Sequence, residues 1–186
     1  MRKGDGELWY RLLADFDYRN IPESGRYERW VARGIRESLS PEGRFHCAHF
    51  GGACSRHVVT TALLQGAADT NEHPLIRGQC LESLTHKPDW SRRASRRDKK
   101  IHRVVLDCLS DPDANVRFWA CFAASGMKLK SAQHLLRLMT RDQGLGDMGW
   151  TVGYEAQEAL KSIQGKPAWQ DEPPHKKSPY PPLVYR

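Results

Sequence analysis

The sequence predicts an all-α fold: an α-solenoid of about four helix pairs, covered at one end by an N-terminal capping helix and followed by an extended proline-rich tail. Three observations predict it. Residues 111–126 read as a tight turn followed by one short helix that is apolar on more than one side. Weaker copies of that stretch recur, placing the small residues Ala48, Cys80, Ala120 and Ala156 at spacings of 32, 40 and 36. Amphipathic stretches fill the intervals between the copies. A helix with such wide apolar flanks cannot bury them alone, and an irregular period of this size describes helix pairs joined by loops of variable length.

Taken in order, residues 1–26 make a cap helix and a turn. Over 5–18, Leu8, Trp9, Leu12, Leu13 and Phe16 share a face behind Asp5, which suits the open apolar end of a stack. The repeats occupy 27–165. The first outer helix is 27–39, with Trp30, Val31, Ile35 and Leu39 inward, then a turn at 40–43 and an inner helix at 45–52. The second pair is 56–67 and 74–84, separated by a polar turn; here Ile76, Arg77 and Cys80 align with Val116, Arg117 and Ala120. Residues 99–109 form the third outer helix on Ile101, Val104, Val105, Cys108 and Leu109. Pro112 cannot continue it, Asp113 and Asn115 suit turn and N-cap positions, and Gly126 suits a C-cap. The last pair is 131–140, with Leu135, Leu136, Leu138 and Met139 inward, and 152–160. Between them, 141–152 is a long loop whose glycines allow flexibility and positive φ. The tail, 166–186, holds six prolines and so excludes helix; its Trp169, Tyr180, Leu183, Val184 and Tyr185 favour docking on the body or on a partner.

Composition narrows the class. An apolar fraction of 39% and a charged fraction of 27% fit one soluble domain. No apolar run approaches the roughly 18 residues that span a membrane, and no apolar core follows the basic residues at the N-terminus, so neither membrane nor secretion is expected. Five cysteines, an odd number without framework spacing, point to buried thiols in a reducing, cytoplasmic setting. The net charge of +7 suits an acidic protein, nucleic acid or an anionic surface.

Few residues carry chemistry. His46, Cys47, His49, Cys54 and His57 put five potential ligands within twelve residues, but the spacing matches no familiar zinc site and a helix break must fall inside it, so no metal or other cofactor is expected. No catalytic motif is present. Arg92, Arg93, Arg96, Arg97, Lys99 and Lys100 face one acid, Asp98; such a cluster can hold phosphates, although only Trp90 is near for base stacking. Trp150, in the long loop, either plugs the last repeat or anchors a partner.

The turn-plus-helix of 111–126, with the matching Ile76-Arg77, resembles the HEAT-repeat family of α-solenoids over 27–165. Residues 149–156 are similar to the Trp-containing last loop of small bacterial HEAT-repeat proteins, a group mostly without assigned activity. The resemblance implies that Arg77 and Arg117 brace their turns. It also implies a binding surface on the inner helices, where His49, Arg77, Arg117, Cys121, Gln157 and Lys161 would face solvent beside Trp150. The expected function is a non-enzymatic protein-binding module with an acidic partner, as an adaptor or as an immunity protein that blocks a toxin domain. The alternative is a nucleic-acid-binding HEAT-like protein using the basic cluster. Asp147, Trp119, Trp150 and Arg117 are the materials of a base-excising site, but their spacing assigns none.

Overall fold

The computed structural model describes residues 25–38, 40–86, 96–170 and 176–180. The cap helix expected over 5–18, Leu39, Arg92 and Arg93 lie outside the described residues, as do the side chains of Arg96 and Arg97. The described part is all-helical, with eight α-helices packed against one another; among the described residues the only β feature is an isolated bridge between Leu145 and Thr151. The described residues fall into two compact units, one up to residue 86 and the other from residue 96 to 180.

The first unit contains α1 (Gly25–Glu37), α2 (Pro41–Gly51), α3 (His57–Ala68) and α4 (Pro74–Thr85). α1 packs on α2 and α3, and α4 on α2 and α3. The expected turn at 40–43 is instead the first turn of α2. Ser40 is its N-cap, accepting from the Gly43 N–H at 3.2 Å, and Pro41 stands at the first helical position, where its missing N–H is not needed. α4 begins the same way, with Pro74 behind a His73 ring nitrogen that accepts from the Leu75 N–H. Arg56, at the N-cap of α3, offers no side-chain bond. Glu28 of α1 supplies it, accepting from the Arg56 N–H at 2.7 Å and from the Ser55 N–H at 3.1 Å.

Small residues set how close these helices lie. A Cβ on Gly34 would stand 2.3 Å from the Cys47 sulfur, and one on Gly66 would stand 2.8 Å from the Cys80 sulfur. The interior is built on Val31, Ile35, Val59, Leu63, Ile76, Leu81 and Leu84. Arg44 ties α2 to the turn before α4 through a paired contact with Glu72, at 2.6 and 3.1 Å, and donates to the Ser38 carbonyl.

The second unit contains α5 (Arg96–Cys108), α6 (Ala114–Gly126), a 3-10 turn (Lys130–Ala132), α7 (Gln133–Met139) and α8 (Val152–Ile163). α6 packs on α5 and α8, and α8 also on α7. Ala48, Cys80, Ala120 and Ala156 are each fully buried in their own units. Two expectations fail at helix ends. α7 is only seven residues long and turns Leu136 and Met139, three apart, inward; Leu138, two positions after Leu136, faces the other way and is 68% exposed. Gly126 is the last helical residue of α6 and not its C-cap. The C-cap is Met127, and Lys128 takes the left-handed conformation (φ 50°), with Leu129 N–H donating to the Ala124 carbonyl and Lys128 N–H to that of Ser125. A lysine pays about 1–2 kcal/mol for that conformation, and its ammonium compensates by donating to the Ser162 carbonyl and hydroxyl at 2.8 and 2.7 Å, at the C-terminal end of α8. α8 closes by the same bond pattern on Gly165 (φ 74°).

Because Glu28 alone supplies the side-chain cap described for α3, Glu28→Ala is expected to lower the denaturation midpoint by the equivalent of about 1 kcal/mol with an unchanged denaturant slope; chemical denaturation of the purified chain measures it.

Candidate binding surface

The second unit gathers its polar groups around the N-terminus of α6. Asp113 caps the helix, its Oδ1 accepting from the Asn115 N–H at 2.8 Å and the Val116 N–H at 3.4 Å. One turn into the helix, Arg117 reaches back and donates to the carbonyls of Asp111 and Pro112, both at 2.8 Å. The other side of the guanidinium grips both oxygens of Asp142, at 2.8 and 3.2 Å, in the loop that precedes α8. Burial acts to raise the Asp142 carboxyl, but the Arg117 hydrogen bonds and the Gly144 N–H outweigh it and hold the group below its ordinary value.

Residues 141–151 are therefore a pinned loop. The Asp147 N–H donates to Asn115 Oδ1 and the Trp119 indole donates to Asp147 Oδ1, both at 2.9 Å. Within the loop, Gly146 N–H donates to the Trp150 carbonyl, Val152 N–H to Gly144 and Gly153 N–H to Asp142, all at 2.9 Å. The glycines serve close approach more than flexibility: a Cβ on Gly146 would lie 2.7 Å from the Phe118 ring. Met148, at the tip, is 47% exposed. Trp150 is half-buried, edge-on to Tyr154 at 5.7 Å.

The tail adds two contacts. Trp169, itself left-handed (φ 53°), donates its backbone N–H to Glu158 and its indole N–H to Glu155, and its ring meets Phe122 at 6.4 Å. Glu155 is buried, and its Oε1 has no hydrogen-bond partner among the described residues. Burial pushes its carboxyl up to about 7, opposed by the Trp169 indole and assisted by Glu158. Further on, the Tyr180 hydroxyl reaches Asp113 and the Asn115 N–H.

The seven residues expected on the partner-facing surface are placed unevenly. His49 is exposed on α2 in the first unit. Arg77, in the same unit, is buried rather than solvent-facing: its Nε donates to the Ala67 carbonyl, at the end of α3, at 3.2 Å. Arg117, Trp150, Gln157 and Lys161 belong to the second unit. Arg117 is a brace, Gln157 is exposed and donates to the Thr140 carbonyl, and Lys161 is exposed and paired with Glu158. Cys121 is fully buried, not at the surface. Of the basic cluster, Lys99 and Lys100 are exposed on α5.

The His and Cys group of the first unit is divided. Cys47 is buried, its thiol pushed up to about 12 by burial and by Cys54. His46 is lowered by burial and by His49, against Glu42. His57 is exposed on α3. His49 and Cys54 line a cleft of about 420 Å³ with Glu82, Ser83 and His86. All five cysteines are buried and free. Among the described residues no three of His, Cys, Asp and Glu converge as metal ligands.

Sequence reasoning missed Asp142, Glu155 and the partners on which Tyr180 docks. Asp142 lies 25 residues from Arg117 and Tyr180 lies 65 from Asn115, so no local pattern marks them. Comparison with family models, with curated proteins and with solved structures returns no match in any of the three.

Two measurements probe this geometry. Arg117→Ala should cost about 2–3 kcal/mol, since it strips charge-assisted bonds from Asp142 and from two carbonyls, and should make 141–151 the first site of limited proteolysis. For Glu155 the sign follows from its raised value: the folded chain holds the proton more tightly, so the contribution is full below 4.5 and is lost as pH rises through about 7. Glu155→Gln should accordingly raise the melting temperature more at pH 8 than at pH 5.

Proposed function

We propose that the protein is a non-enzymatic protein-binding module of HEAT-like type, with the pinned loop 141–151 as its recognition element. The observation that carries this reading is Met148: an exposed apolar side chain at the tip of a loop held on both flanks by buried or half-buried hydrogen bonds. An ordered loop loses little conformational freedom on association, so its contacts convert to affinity instead of offsetting ordering. Methionine also adapts to an irregular partner surface. A blocker of a toxin active site is the form of this reading that such a loop suits, because a plug must hold its shape before contact. Exposed Arg137, Arg141 and Lys161 in the same unit, together with the net charge of +7, favour an acidic partner.

The repeat reading draws support from equivalent work done by equivalent residues. Arg77 of α4 and Arg117 of α6 each reach a backbone carbonyl of the segment that precedes their helix. That is the bracing role expected of them.

The test compares capture from an extract of the native host by the wild-type chain and by Met148→Asp. A protein retained by the first and reduced at least tenfold with the second, at unchanged melting temperature, supports the reading. Identical capture by both removes the loop as the recognition element. Duplex DNA at low salt is the second probe: tight binding with a steep salt dependence would transfer the function to the surface carrying Lys99 and Lys100.

A further inference from the structure

The contact between Tyr180 and the start of α6 differs in kind from ordinary tail packing. The phenol is read on both sides: its O–H donates to Asp113 Oδ1 at 2.8 Å, and its oxygen accepts from the Asn115 N–H at 3.0 Å. Phenylalanine could make neither bond. A phosphorylated tyrosine would bring a dianion against Asp113 and near Asp147, at a position where burial first and then these two carboxylates disfavour a charged Tyr180. The site therefore selects an unmodified tyrosine.

A second point of contact lies on the backbone. The Lys176 N–H donates to the Gly149 carbonyl at 3.1 Å. Gly149 has φ +77°, and a Cβ there would lie 2.0 Å from the Lys176 carbonyl oxygen. The loop surface at this position thus admits an extended chain only because residue 149 is glycine.

Between these two contacts the tail holds its own shape. Ser178 Oγ accepts from the Tyr180 N–H at 3.2 Å, and Pro179 restricts φ just before the tyrosine. Lys176, Lys177 and Pro179 are exposed. A segment that carries its own turn, and is held through one phenol and one N–H, is portable: another chain with the same few features meets the same groove.

We infer that the N-terminus of α6 and the Gly149 edge form a tyrosine-selective groove for an extended Ser-Pro-Tyr segment of a partner protein, occupied in cis by the chain's own 176–180. The tail then acts as a built-in competitor, present at an effective concentration on the order of millimolar because it is tethered. This goes beyond the binding-module reading, since the groove stands whether or not Met148 is the recognition tip.

The experiment uses the full chain and a fluorescent peptide with the sequence of residues 174–184, read by anisotropy. Tyr180→Phe deletes both phenol bonds of the cis tail; Lys176→Pro deletes the N–H bonded to Gly149 and opens the groove by a separate route. Circular dichroism establishes that each variant retains its helix content. Both variants should bind the peptide at least tenfold more tightly than the wild-type chain, and a peptide with phenylalanine in place of its tyrosine should lose at least tenfold on either. Peptide binding is read on these variants alone and host-protein capture on Met148→Asp alone, so that failure of the loop-tip reading and failure of the groove are distinguishable. Binding no tighter to the variants than to the wild-type chain, or equal binding of the phenylalanine peptide, would overturn the inference.

Discussion

Arg117 sits where three segments of the second unit would otherwise part. Its guanidinium holds the turn at Asp111 and Pro112, the helix from which it projects, and the loop at Asp142. Five donors in a rigid fork make this possible; a lysine could satisfy one of these partners but not fix all of them in register. Once Asp142 is placed, the Gly144 and Gly153 N–H groups have their acceptors, and the loop leads directly into α8. Asn115 and Trp119 then fix the far side of the loop through Asp147. The groups proposed to meet partners, Met148 and the Gly149 edge, are downstream of that one ion pair.

The first unit is governed by proximity instead. Gly34 against Cys47 and Gly66 against Cys80 leave no room for a side chain on the glycine. A thiol is small and weakly polar, so it fills such a contact without requiring a hydrogen bond. This accounts for two of the five buried cysteines. Burial also raises Cys47 to about 12, which leaves it a packing residue and not a nucleophile.

Buried charge is concentrated where the tail meets α8. Glu155 and Glu158 face the body under Trp169, whose two N–H groups are their donors. Burial opposes ionisation of Glu155, and the neighbouring Glu158 opposes it further. The Trp169 contact thus links tail position to the proton on Glu155, within the same unit that carries the Tyr180 contact.

Much of the fold was legible in the residues. Pro112 and Asp113 mark the start of α6, Pro74 the start of α4, and the four small residues at 48, 80, 120 and 156 their buried positions. These are local signals: a fixed φ, a capping oxygen, a missing side chain. Helix ends were less legible because competing local devices are close in energy. Pro41 opens a helix instead of a turn, and Lys128 rather than Gly126 takes the left-handed position after α6. The surface was legible least. Arg77 and Arg117 carry the residue type of a binding stripe, yet Arg77 is committed to a carbonyl 10 residues away and Arg117 to the Asp142 carboxylate 25 residues away. Helix class and the caps at Ser40, His73 and Asp113 follow from neighbours along the chain, where period and dihedral preference act. Which charges are consumed internally and which are left for a partner follows from distance in space, and only the tertiary structure sets that.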